Sequence, residues 1–101
     1  MKMNKVDLHK AITSHMSSVY QKKNADYGDS FAKVRAVVPN AILVRLMDKM
    51  ERIKTLMTSN KPPQVRDEQI EDTLLDLANY CVMELVERNM EKELKVTHAK
   101  V

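Results

Sequence analysis

The amino-acid sequence predicts an all-α fold, and two observations carry that expectation. Apolar residues recur at three- and four-residue intervals over long stretches, with no alternating run of strand length. The chain breakers are few and fall between those stretches: Gly28 is the only glycine, and Pro39, Pro62 and Pro63 are the only prolines. At 101 residues the chain makes one domain with a thin core of its own. We take residues 1–95 as that domain and 96–101 (VTHAKV) as a frayed tail.

The first helix is expected from about Lys5 to Lys23, with Leu8, Ile12, Met16 and Val19 inward and Lys10, Ser14 and Gln21 outward. A polar turn follows, in which the lone Gly28 between Tyr27 and Asp29 suggests positive φ or a close backbone approach. Ser30 can cap a short helix from Phe31 to about Val37, which Pro39 ends. The next helix runs from about Asn40 to Ser59, with an apolar set of Leu43, Leu46, Met47, Met50, Ile53 and Met57. Pro62 and Pro63 separate it from the last long helix. That helix is expected to be capped by Asp67, to bury Ile70, Leu74, Leu77, Cys81 and Leu85, and to end near Leu94.

Composition narrows the function classes. Hydrophobic residues make up 44% of the chain, as in a globular protein, and no run is long enough for a membrane helix or a signal peptide. The expected location is therefore cytoplasmic. The net charge of +3 is mild, much of the excess lies at the ends, and no basic face with interleaved aromatics appears, so direct nucleic-acid binding is not expected. Helices built from Leu, Ile, Val and Met with so few aromatics bury little alone, which predicts a homo-oligomer. The lone Cys81 reads as a small core residue, and the cysteine count excludes a disulfide framework or zinc spacing.

The chemistry-bearing feature is a row on the last helix. Glu68, Asp72, Asp76 and Asn79 recur at i, i+4, i+8 and i+11, on one stripe, with no lysine or arginine between them. Like charges four apart cost roughly 0.2–0.5 kcal/mol per pair, so the row favours a cation opposite it. That cation can be Mg²⁺, which takes oxygen ligands, with Asp48 and Glu51 of the preceding helix supplying a second wall. Arg45, Lys49, Arg52 and Lys23 can then hold phosphate oxygens, and Asn79 can bond the ligand or orient a carboxylate. The alternative is a structural zipper, in which Arg45, Lys49 and Arg52 pair with Glu68, Asp72 and Asp76 and no ligand is present. A third possibility is two solvated faces. His9, His15 and His98 are not clustered, and no nucleophile has a neighbouring base in sequence.

Three blocks, KKNADYGDSF, RLMDKMERIKTL and RDEQIEDTLLDLANY, together resemble the nucleotide modification associated domain family over roughly Gln21 to Glu87. Its members are small, mainly phage and prophage proteins related to the all-α, MazG-like nucleotide pyrophosphatases. The resemblance implies a helical bundle completed as a dimer or tetramer, in the bacterial host cytoplasm if phage-encoded, with its site between helices. It also implies Mg²⁺ held by two acidic pairs and cleavage of a (d)NTP to monophosphate and pyrophosphate. Carried onto this chain, Asp48 and Glu51 stand for the first pair, and Glu68 with Asp72, or Asp72 with Asp76, for the second; these last three are the expected catalytic acids. Lys23, Asp26 and Tyr27 would line the pocket with Arg45, Lys49 and Arg52. The chain departs from the enzymes in interleaving Asp48 and Glu51 with Lys49 and Arg52, a pattern that suits direct binding of a phosphate-bearing ligand. Three functions follow as expectations: a Mg²⁺-dependent (d)NTP pyrophosphatase, a catalytically silent nucleotide-binding or sequestering protein, and a helical assembly protein.

Overall fold

A computed structural model describes residues 2–60 and 70–99, with side chains as far as Leu94. Four helices account for nearly all of it: α1 (Lys5–Tyr27), α2 (Ser30–Val37), α3 (Ala41–Thr58) and α4 (Ile70–Ala99). No strand occurs among the described residues, and the fold is all-α. Glu68, the Asp67 cap and the Pro62-Pro63 break lie outside the described residues.

Local chemistry sets the boundaries. The Asn4 side chain accepts a 2.8 Å bond from the Asp7 N–H and caps α1. At the other end Gly28 takes the left-handed conformation (φ 62°), and both its N–H and that of Asp29 turn back to the Asn24 carbonyl. Asp29 is itself left-handed (φ 58°) and precedes α2, so Ser30 is the first helical residue rather than the cap. Asn40, also left-handed (φ 55°), redirects the chain from α2 into α3. The first helix therefore runs a full turn beyond its expected end at Lys23, and α4 continues to Ala99 rather than stopping near Leu94.

α3 and α4 form the main interface. Their contacts descend along α4 as they ascend along α3, from Arg45 beside Tyr80 to Lys49 beside Asp76, so the pair is antiparallel. Among the described residues Phe31, Ala41 and Ile53 are the buried apolar ones, joined by buried Thr73 and Glu84. α1 buries no residue completely and touches α4 lightly, through half-buried Met16, Val19 and Tyr20.

The packed faces correct the expected ones. Leu74, Cys81 and Leu85 are exposed, and α4 instead turns Ile70, Thr73, Leu77, Tyr80 and Glu84 inward. On α3, Leu43, Met47, Met50 and Met57 are exposed, while Ile42, Leu46, Lys49, Ile53 and Leu56 pack. Both helices are apolar over more than one stripe, so helical spacing alone does not choose which stripe meets the neighbour. None of the described helices is long and apolar enough to cross a membrane.

Candidate functional site

A cavity of about 300 Å³ opens where α1 ends, α2 begins and both face α3 and α4. Each long helix presents one stripe to it. Tyr20, Lys23, Asn24 and Tyr27 fall at i, i+3, i+4 and i+7 on α1, and Asp76, Asn79, Tyr80 and Met83 repeat that spacing on α4. Arg45 and Lys49, one turn apart on α3, complete the wall, and the left-handed Gly28-Asp29 turn brings Ser30 and Phe31 to the rim. All four aromatic residues of the chain line this one cavity.

Tyr80 organises the interior. Its ring lies 6.0 Å from that of Phe31 at a tilt of 56°. The Arg45 guanidinium and the Lys49 Nζ stand 5.8 and 6.0 Å from the Tyr80 ring centre, within cation–π range. Lys49 Nζ is also 3.3 Å from Asp76 Oδ2, and its side chain is only 12% exposed. Arg45 and Lys23 have no ion pair among the described residues, so their charge is available to a guest. Burial, with the Asp29 and Glu87 carboxylates adding, pushes the Tyr20 phenol up.

A second cavity of about 240 Å³ adjoins the first through shared Lys23, Asp76 and Asn79, and adds His15 and Asp72. A third, of about 250 Å³, is largely apolar and meets the others at Asn79. All three lie along the loosely filled seam between α1 and α4.

The sequence-predicted residues divide. Lys23, Tyr27, Arg45, Lys49, Asp76 and Asn79 converge on the first cavity, and Asp72 joins Asp76 and Asn79 in the second. Asp26, Asp48, Glu51 and Arg52 line none of the three. Arg52 pairs instead with Asp48 of its own helix, at 3.4 Å and in solvent. The zipper thus closes one described tooth, Lys49–Asp76. Tyr20, Asn24, Phe31 and Tyr80 were not anticipated, nor was His15; the repeated i, i+3, i+4, i+7 spacing on α1 and α4 is the signal that carries the first-cavity residues.

Mg²⁺ needs several oxygen donors in octahedral array. Among the described residues no group of three or more His, Cys, Asp or Glu is arranged to hold a metal ion. The one carboxylate lining the first cavity is already paired with Lys49. The described residues therefore do not fit the metal that the acidic row suggests.

A separate ionic cluster ties α2 to α4. Arg35 Nε and Nη2 donate to Glu84 Oε1 and Oε2 at 2.9 and 3.0 Å, Arg88 Nε donates to Oε2 at 2.6 Å, and Arg35 Nη1 reaches Glu91. The bidentate Arg35 guanidinium, with Arg88 assisting, holds the Glu84 carboxyl down to about 2 against the opposing effect of burial. The same bonds push the Arg35 guanidinium up. This cluster ties α2 to the middle of α4, next to Met83 of the cavity wall.

No curated protein and no solved structure matches this chain. A family model does: residues 23–87 match Nucleotide modification associated domain 1, a span that holds most of the cavity wall from Lys23 to Met83. The chain belongs to the Nucleotide modification associated domain 1 family.

Proposed function

We propose that this protein binds a nucleotide in the cavity between α1, α2, α3 and α4. The observation that carries the reading is the convergence there of every aromatic ring in the chain with Lys23, Arg45 and Lys49. Rings offer stacking surface to a base, and guanidinium and ammonium groups offer charge-assisted bonds to phosphate. Phe31 and Tyr80 are engaged with one another, and Tyr80 with two cations, while Tyr20 is half-buried; Tyr27, 64% exposed, stands at the mouth with its ring unstacked among the described residues. Tyr27 is thus the base platform, Arg45 and Lys49 are the inner phosphate contacts, and Asn24 and Asn79 supply amide donors and acceptors. The family's association with nucleotide modification supports the same ligand class.

The protein is proposed to act as a homo-oligomer, because α3 and α4 each leave an apolar stripe exposed. A second reading is a MazG-like (d)NTP pyrophosphatase of phage type, favoured by Asp72 and Asp76 lying one turn apart in the adjoining cavity with His15.

The test is a melting-temperature screen against nucleotides and matched nucleosides. Nucleotides are expected to raise the midpoint, nucleosides to do so weakly, and Arg45→Ala and Tyr27→Ala each to reduce the shift. Absence of any shift across the panel would refute the binding reading. Pyrophosphate in the same incubations would establish turnover, and intact ligand would establish binding alone.

A further inference from the structure

We infer that the cavity recognises phosphate directly through its own cations, without a bridging metal ion, and that its ligand is a nucleotide with a short phosphate group, a monophosphate above all. This rests on the nucleotide-binding reading and names the ligand class within it. It departs from the metal-bridged chemistry that the acidic row of α4 suggests.

The argument starts from charge. The first cavity is lined by three cations, Lys23, Arg45 and Lys49, against one carboxylate, Asp76. A divalent ion placed there meets repulsion from three cations and finds one carboxylate, which already accepts from Lys49 at 3.3 Å. A phosphate monoester carries close to two negative charges near neutral pH, roughly −1.5 to −2. That matches the net lining charge of three cations less one carboxylate.

Geometry agrees with charge. Arg45 and Lys49 are one turn apart on α3, both lie about 6 Å from the Tyr80 ring centre, and both line this cavity, so two cations flank one ring in the space offered to the phosphate. Tyr80 holds them there as a neutral, polarisable backing that does not consume their hydrogen-bond donors. The cavity, about 300 Å³, sits at the lower limit of small-molecule sites, which span roughly 300–1,000 Å³. A base, a sugar and one phosphate suit that limit better than a triphosphate with a hydrated metal.

Asp76 gives the sharpest discrimination, because the two modes of recognition predict opposite signs for one substitution. As a metal ligand it is required. In direct recognition it competes with phosphate for Lys49, and removing its charge frees that ammonium. Its side chain is 45% exposed, so Asp76→Asn leaves the fold intact.

The experiment is calorimetric titration of the four deoxynucleoside monophosphates and the four triphosphates, each in excess EDTA and in MgCl₂ at matched ionic strength. Monophosphate affinity is expected to agree within about threefold between the two buffers, with triphosphates weaker. Asp76→Asn is expected to bind monophosphate as tightly as the parent or up to about fivefold more tightly, and Lys49→Ala about tenfold more weakly. Binding that appears only with Mg²⁺, or that Asp76→Asn abolishes while its melting temperature is kept, would overturn metal-free recognition and leave nucleotide binding standing. Tighter binding of triphosphates than monophosphates would overturn the ligand class. No binding of either series in either buffer would sink the nucleotide reading along with it.

Discussion

Glu84 is the most tightly held charge in the described structure, buried and bonded by two arginines. Its carboxyl titrates at about 2 when folded against an ordinary 4.5, so the unfolded chain takes up the proton first as pH falls. The stabilisation is complete above the unfolded value and disappears as pH drops from about 4.5 towards 2. Its size is about 3 kcal/mol at most. Urea unfolding of the parent should therefore weaken steeply across that window, and Glu84→Gln should flatten this acid limb while lowering stability at neutral pH by about 2–4 kcal/mol. An unchanged acid limb in Glu84→Gln would show that the cluster contributes nothing. Sequence reading had no purchase on this residue. Arg35 is 49 positions away and Glu91 pairs across the same helix boundary, so nothing in local spacing marks Glu84 as more than one acid among several. Gly28 was legible for the converse reason: a solitary glycine in a polar turn announces positive φ, and φ is 62°. An added Cβ there would meet only the Lys33 Nζ, at an ordinary 3.7 Å, so the penalty is backbone strain. Gly28→Ala should cost about 1 kcal/mol in a melting experiment, and Gly28→Asn less.

The helices themselves were legible, and their buried faces were not. Each breaker and cap acts within a few residues, so the sequence locates α1 to α3 to within a turn at most ends. Which stripe packs depends on partners distant in sequence. α4 carries apolar residues at Leu74, Leu75, Leu77, Cys81, Val82, Met83, Leu85 and Val86, almost all round its axis, and the structure picks the line through Thr73, Leu77, Tyr80 and Glu84. The same logic governed the site. The acidic row suggested carboxylates as the functional face, whereas cations and rings from three other helices join only Asp76 and Asn79 of that row at the first cavity. α1 is the weakest-held element, with no buried residue and three cavities along its seam with α4. Its amides should exchange with deuterium faster than those of α3 around buried Ile53, and ligand that bridges Lys23 and Tyr27 to Lys49 should slow exchange in its C-terminal half. Equal protection of α1 and α3 without ligand would contradict this picture of a lightly docked helix.

A compact domain of about 100 residues has a radius of gyration near 13 Å. This chain has 16.8 Å, with principal extents of 58 × 39 × 24 Å. The core is correspondingly small: among the described residues three apolar ones are buried, and no large side chain is fully enclosed. Meanwhile Leu43, Met47, Met50 and Met57 fall at i, i+4, i+7 and i+14 on α3, each more than half exposed. Such a stripe has the spacing of a helix–helix seam, which is the ground for the homo-oligomer proposed above. Apolar area removed from water contributes roughly 25 cal/mol per Å², so covering this stripe and its counterpart on α4 supplies stabilisation that the isolated subunit lacks. The chain should elute in light-scattering chromatography at a multiple of 11.7 kDa, and Met47→Glu with Met50→Glu should shift it to a single subunit of lower melting temperature. Neither position lines the described cavities, so a monomer that still takes up nucleotide would show that assembly stabilises the fold without building the site. A parent protein that remains a monomer at micromolar concentration, unaffected by both glutamates, would mean that the exposed methionines are tolerated in water.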